Sequence, residues 1–170
     1  ARGQSLPDWL AMRSGEFGRF PDGVARPQSA EQICELLRWM AAEDICLVIY
    51  GGGTSVAGHI NPPAVERPVL TLSLARMNQL LALDEQSRLA TFGPGASGPQ
   101  VESQLRARGY TLGHFPQSWE LSTLGGWVAS RSSGQQSLRY GRIEQLFAGG
   151  SLETFAGTLE LPSFPASAAG

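Results

Sequence analysis

Directly behind the apolar run 45–50, the chain places three glycines and two hydroxyl residues, Gly51-Gly52-Gly53-Thr54-Ser55. Consecutive glycines let successive backbone N–H groups turn toward one point and form an anion nest, to which the two hydroxyls can add donors. A pyrophosphate fits such a nest. A glycine-rich turn without a ligand fits the same string equally well.

The densest polar stretch, residues 113–134, reads GHFPQSWELSTLGGWVASRSSG. Hydroxyls at Ser118, Ser122, Thr123, Ser130, Ser132 and Ser133 surround the pair Gly125-Gly126, with Gln117, Glu120 and Arg131 interleaved. Leu121, Leu124, Trp127 and Val128 require partial burial, and buried polar groups need partners. A polar ligand lying against the backbone meets both demands; a solvated serine-rich loop is the plainer alternative. His114 can position, polarise or shuttle a proton beside a ligand, or serve as a structural hydrogen-bonding group. His59 precedes Asn61-Pro62-Pro63 in a loop and is expected at the surface.

The string Gly93-Pro94-Gly95-Ala96-Ser97-Gly98 matches G-x-G-x-x-G, with Glu120 near the spacing of a ribose-binding acid. Pro94 and Pro99 remove N–H donors where a phosphate needs them, and no apolar strand leads to Glu120. A connecting turn explains the string better.

All thirteen basic residues are arginines, which excludes a Walker-type phosphate lysine and a Schiff-base lysine within the segment. Two histidines and two cysteines, widely separated, give no metal-ligand spacing, so no metal is expected. Cys34 and Cys46 sit in apolar stretches and read as reduced core residues, which suits the cytoplasm. A net charge of −2 with scattered signs argues against nucleic acid or an anionic membrane surface as a partner. The start of the chain lacks a signal peptide's apolar run, and no stretch reaches the ~20 apolar residues of a membrane span. With 170 residues, 42% of them hydrophobic, one domain is expected.

These residues must be held by a few elements. After an irregular start, Ser29 can cap a helix running to about Glu43, with Gln32 completing a capping box. Ile33, Leu36, Leu37 and Met40 form its buried stripe. Residues 45–50 read as a strand covered on both faces. Residues 69–74, 80–83 and 89–92 read as three further strands, with turns at 76–79 and 84–87. A second helix is expected from Pro99 to the cap at Gly109, and a third within 123–131. The tail PSFPASAAG is low in complexity and is expected to be exposed or disordered.

Taken in order, YGGGTSVAGH, then ATFGPGASGPQVESQLRARGYTLGHFPQSWELSTLGGWVASRSSG, then YGRIEQL, the chain resembles the FAD-binding (PCMH-type) domain of the vanillyl-alcohol oxidase superfamily. The wording is most similar to its alkyldihydroxyacetonephosphate synthase branch, then to the FAD-linked glycolate oxidase and D-lactate dehydrogenase proteins. The resemblance implies an α+β fold of two subdomains, here about 1–75 and the start of the second over 76–170, with FAD between them. A substrate-binding cap domain and a further flavin segment lie beyond position 170 in the family, so the segment is expected to be a partial FAD-binding domain.

By this resemblance Ile49, Tyr50, Gly51, Gly52, Gly53, Thr54 and Ser55 match the first pyrophosphate-binding loop. Gln117, Ser118, Trp119, Glu120, Leu121, Ser122 and Thr123 match the second flavin-contacting segment. Gly125 and Gly126 match the helix that follows, and Ser130, Arg131, Ser132 and Ser133 the loop after it. Thr54 stands where some relatives carry a histidine bonded to the flavin, so FAD is expected to be noncovalent. His114 matches the histidine of the synthase G-H-x-P motif and is the candidate catalytic residue. In place of the family's common acidic residue after Y-G-x-I-E stands Gln145, and 147–155 follow the family strand pattern poorly. The implied activity is an oxidoreductase-type flavoenzyme, synthase-like. A 2-hydroxy-acid dehydrogenase and a non-catalytic flavin-binding fragment are the alternatives. The implied partners are FAD and a small substrate held mainly by the cap, with a homodimer of the intact protein allowed.

Overall fold

The computed structural model describes residues 3–162. Ser29, in extended conformation, accepts the N–H of Gln32 at its hydroxyl and starts a helix at Ala30–Ala42. The expected capping box is only half made. The Gln32 carboxamide reaches one residue further back and accepts the N–H of Gln28 at 2.8 Å. Within this helix Ile33, Leu37 and Met40 are buried, whereas Trp39 beside the stripe is 48% exposed.

The start of the chain is not irregular. It forms α1 (Leu6–Arg13) and a short strand β1 (Gly23–Ala25) before the Ser29-capped helix, α2. The signal for α1 is local: Ser5 and Asp8 make a reciprocal capping box, with Pro7 in the first turn where its missing N–H costs nothing. Its apolar residues gave no buried stripe to detect, because Leu6, Trp9 and Leu10 are all exposed.

Next come β2 (Cys46–Tyr50) and β3 (Val69–Ser73). With β1 they form a parallel sheet of order β1-β3-β2, in register from Cys46↔Val69 to Tyr50↔Ser73. Neighbouring residues of a strand face opposite sides. Leu47 and Leu72 therefore pack with Ile33 and Leu37 of α2, while Val48 and Val69 pack with Ile60 on the other side. The expectation that the 45–50 strand is covered on both faces needs one correction. It is an edge strand, and Ile49 is 54% exposed.

A hairpin of β4 (Leu80–Asp84) and β5 (Leu89–Phe92) follows, closed by the Asp84 carboxylate accepting the N–H groups of Gln86 and Ser87. Helix α3 (Gly98–Arg106) has Pro99 in its first turn and Gly109 at φ +81° past its end, as expected. Val101 and Leu105 bury against Ala96, Phe92 and Leu124. Three short helices complete the run, α4 (Leu124–Ser130), α5 (Ser137–Tyr140) and α6 (Ile143–Leu146). A second hairpin, β6 (Gly150–Thr154) with β7 (Gly157–Leu161), ends the described chain. The last two helices and this hairpin escaped the sequence reading, and the weak pattern over 147–155 hides a strand because β6 and β7 are largely exposed.

Cys34 and Cys46 are both free and half-buried; Cys46 packs against the Val48, Ile60 and Val69 cluster as expected, whereas Cys34 is not part of a core cluster. The Cys34 thiol donates to the Glu153 carboxylate at 2.9 Å, which joins α2 to β6. That carboxylate, by hydrogen bond and charge, raises the thiol pKa above its ordinary value. The mixture of a parallel sheet, two antiparallel hairpins and surrounding helices is α+β. Of the tail PSFPASAAG, all but Pro162 lies outside the described residues.

Candidate functional site

The glycine string begins where β2 ends, at the carboxyl edge of the parallel sheet. In parallel sheets, this is the edge at which loops are free to meet ligands. Tyr50 still belongs to the ladder, its carbonyl accepting the N–H of Leu74 at 3.0 Å. Beyond it the chain lies directly on residues 121–123. A Cβ on Gly52 would overlap the carbonyl of Leu121 and stand 2.8 Å from the Cα of Ser122, and one on Gly51 would strike the Thr123 hydroxyl. Gly53 adopts φ +73°, the left-handed region that glycine enters freely. The structure thus brings together two segments some 70 residues apart that the sequence reading selected separately.

Two features at this junction call for a ligand. Among the described residues no protein acceptor takes the backbone N–H of Gly51, Gly52, Gly53, Thr54 or Ser55. The hydroxyl of Thr123 is buried, with no hydrogen-bond partner among the described residues. Buried polar groups without partners are rare and costly. A run of free donors beside an orphaned hydroxyl fits the pyrophosphate and ribityl oxygens of FAD.

The other hydroxyls of the polar stretch are largely engaged within the protein. Ser122 Oγ donates to the Ser118 carbonyl at 2.8 Å and accepts Trp127 Nε1 at 2.7 Å. Ser130 Oγ returns to the carbonyl of Gly126 at 2.7 Å. Ser132 Oγ pairs with His114 Nε2 at 3.2 Å. Arg131 takes φ +53°, caps α4, and points outward toward Glu144 at 3.5 Å; Ser133 is exposed. Half of the hydroxyl cluster that looked in sequence like one polar ligand site is therefore internal scaffold, and Thr123 is its buried hydroxyl without a partner among the described residues.

Residues Gln117, Ser118, Trp119, Glu120 and Leu121 line one side of an open cavity of about 440 Å³, with Phe115 and Pro116. Gln135 and Gln136 close it from across the chain, and the sequence reading missed both. Gly125 lies in the first turn of α4, where a Cβ would stand 2.7 Å from Pro94.

The string Gly93 to Gly98 is a packing turn. The N–H groups of Gly93, Gly95 and Ala96 go to the carbonyls of Gln79, Met77 and Gly93, and that of Ser97 to the Gln100 carboxamide. Its own carbonyls at Pro94 and Ala96 accept the N–H groups of Gly125 and Leu124. The turn thus caps α4 and offers few donors to a phosphate.

His114 is 1% exposed, set edge-on to Trp127 with ring centroids 5.0 Å apart. Its Nδ1 is buried and has no partner among the described residues. Burial lowers its pKa below the usual histidine value, so the ring is neutral at pH 7. The backbone before it is fixed by a group the sequence reading passed over. Glu102 of α3 is 3% exposed, and its carboxylate accepts Thr111 Oγ1 at 2.8 Å, Leu112 N–H at 3.0 Å and Gly113 N–H at 3.2 Å. His59 is exposed, as expected, and its Nδ1 pairs with Ser55 Oγ at 3.2 Å. Among the described residues no group of three or more His, Cys, Asp or Glu could hold a metal, and no helix is long and apolar enough to cross a membrane.

Comparison with known proteins finds relatives over most of the chain. Residues 21–160 match a family described as FAD binding domain. The chain is 38% identical over 168 residues to the alkyldihydroxyacetonephosphate synthase of Dictyostelium discoideum, covering 99% of this chain and 28% of that protein. It is 29% identical to a glycolate oxidase subunit of Bacillus subtilis, covering 74% of this chain and 26% of that one. A solved alkyldihydroxyacetonephosphate synthase superposes with a TM-score of 0.89 at 38% identity, covering 94% of this chain and 30% of that one. The chain thus spans less than a third of the length of these relatives.

Proposed function

The chain belongs to the FAD binding domain family, and on that premise we propose that it holds noncovalent FAD in a flavoenzyme of the alkyldihydroxyacetonephosphate synthase type. The observation that carries the proposal is the contact of Gly51 and Gly52 with residues 121–123, beside five N–H groups and a Thr123 hydroxyl that find no acceptor or partner among the described residues. In this proposal Gly51 to Ser55 donate to the pyrophosphate. Thr123 supplies a hydroxyl, and residues 117–121 line the path of the remaining cofactor. When bound, FAD supplies a ring that accepts electrons from a substrate carbon.

In this proposal His114, neutral, buried and tied to Ser132, holds Trp127 and through it Ser122 beside the glycine loop, and can accept or donate at Nδ1. With Thr54 after the glycines, the loop places no histidine there for a covalent flavin bond. The substrate is a small molecule, bound in the intact protein largely by parts outside these 170 residues. The second reading is a 2-hydroxy-acid dehydrogenase, favoured by the likeness to the glycolate oxidase subunit and less by the degree of identity. Bleaching of bound flavin by glycolate or D-lactate without oxygen would select it.

The test is a titration of the chain with FAD, followed by flavin fluorescence, then acid precipitation. Binding is expected, with all colour released into the supernatant, and Gly52→Ala is expected to remove it because the new methyl overlaps the Leu121 carbonyl. A folded chain that ignores FAD, or binding that survives Gly52→Ala unchanged, overturns the proposal. Colour retained in the acid pellet overturns the noncovalent mode alone.

A further inference from the structure

The free end of the glycine loop is held by a part of the chain outside the family match over 21–160. Between Ser55 and Val69 the backbone forms no helix or strand, and a loop carrying free donors binds an anion well only if its shape is fixed beforehand. One anchor is Ile60, buried at 6% exposure between Val48 and Val69. The other is polar. Gln4 N–H donates to the Ser55 carbonyl at 2.6 Å, and Gly3 N–H donates to Asn61 Oδ1 at 2.9 Å. Asn61 Nδ2 in turn donates to Asp8 Oδ1 at 2.7 Å. The second carboxylate oxygen, Oδ2, accepts Ser5 Oγ at 2.6 Å and Ser5 N–H at 3.3 Å. Asp8 is 6% exposed, and a Cβ on Gly3 would stand 2.8 Å from the Ser55 carbonyl oxygen, so the segment and the loop are in close contact.

We infer that Asp8 and Asn61 are positioning residues for the cofactor: through Gly3 and Gln4 they clamp Ser55 and the loop behind it, keeping the donors from Gly51 to Ser55 convergent. The inference rests on the proposed FAD site. The capping box at Ser5 thus has two functions. It starts α1, and it aims a buried carboxylate at Asn61, a side chain that bridges α1 and the segment behind the glycine loop.

The arrangement of donors and acceptors allows a test by exchange. In Asp8→Asn the new amide cannot satisfy Ser5 and Asn61 together without turning an N–H toward a donor, and Asn61→Asp sets two carboxylates against each other. In the double swap, the amide oxygen at position 8 accepts from Ser5 and the amide nitrogen donates to the carboxylate at position 61, which still accepts from Gly3. FAD dissociation constants are measured for the whole chain at a temperature where circular dichroism shows every variant folded. Amide exchange is followed at Ala57 and at position 61, whose N–H groups bond to Ser55 Oγ and the Gly58 carbonyl. Each single change is expected to weaken FAD binding roughly tenfold and to speed exchange at these two amides but not in β3; the swap is expected to recover most of both. Single variants within twofold of the parent, or a swap no better than the singles, overturn the clamp. If the parent itself ignores FAD, the cofactor proposal fails and exchange alone decides whether the clamp holds the loop; unchanged exchange then overturns it too.

Discussion

Gly51 and Thr123 meet so closely that a single methyl on Gly51 would strike the Thr123 hydroxyl, and that hydroxyl has no partner among the described residues. In the proposed FAD site, Thr123 is therefore the residue at which the glycine loop and the second segment would offer a hydroxyl to a ligand oxygen.

Replacing Thr123 by valine keeps the shape and deletes the orphaned hydroxyl. Although Thr123 stands at the N-cap of α4, its side chain makes no capping bond, so no protein hydrogen bond is lost. The folded chain is expected to keep or gain stability, while FAD affinity falls roughly tenfold, the worth of one ligand hydrogen bond of about 1.4 kcal/mol. Chemical denaturation and flavin titration on the same preparation check both halves. A variant with unchanged affinity would remove Thr123 from the site.

Glu102 carries the backbone before His114. In Glu102→Ala the N–H groups of Leu112 and Gly113 lose a buried acceptor, and the cost is about 3 kcal/mol. Glu102→Gln retains one oxygen for both N–H groups and offers an N–H to Thr111, so its cost is about 1 kcal/mol, including the lost contact with Arg106 at 3.4 Å. Urea midpoints of the two variants should fall in that order.

For His114 the sign of the pH effect follows from its depressed folded pKa. The unfolded chain binds the proton first on acidification, near the ordinary histidine value of about 6.5. The contribution of the neutral ring is thus complete above that pH and is lost as pH falls from there through the folded pKa. Denaturation midpoints measured at pH 7.5 and 5.5 should fall on acidification for the parent and change less for His114→Asn. Carboxylates held low, such as Asp22 and Asp84, act at more acidic pH and leave this window clear.

The elements legible in the sequence were those with a local signal: the Ser29 cap, the apolar stripe of α2, the branched run of β2, and Pro99 and Gly109 bracketing α3. The ones that escaped lack a buried face. Helix α1 exposes Leu6, Trp9 and Leu10, and the β6–β7 hairpin exposes Leu152, Leu159 and Leu161, so neither shows the period that burial imposes. At the site, the glycine loop and residues 117–123 were legible as types, but not which hydroxyls were free. Ser122, Ser130 and Ser132 look like Thr123 in a string; only their partners in space set them apart.

By itself the sequence determined the chemistry on offer: consecutive glycines and two hydroxyls after an apolar strand, no lysine, and a motif order whose FAD family the comparisons bear out. Those are properties of residue type and spacing, fixed along the chain. Tertiary structure alone decided that Gly52 lies on Leu121, that Glu102 is buried to hold Gly113, and that Asp8 reaches Asn61 across 53 residues. Such contacts depend on which distant groups folding brings within hydrogen-bond reach, and a linear pattern carries no record of that distance.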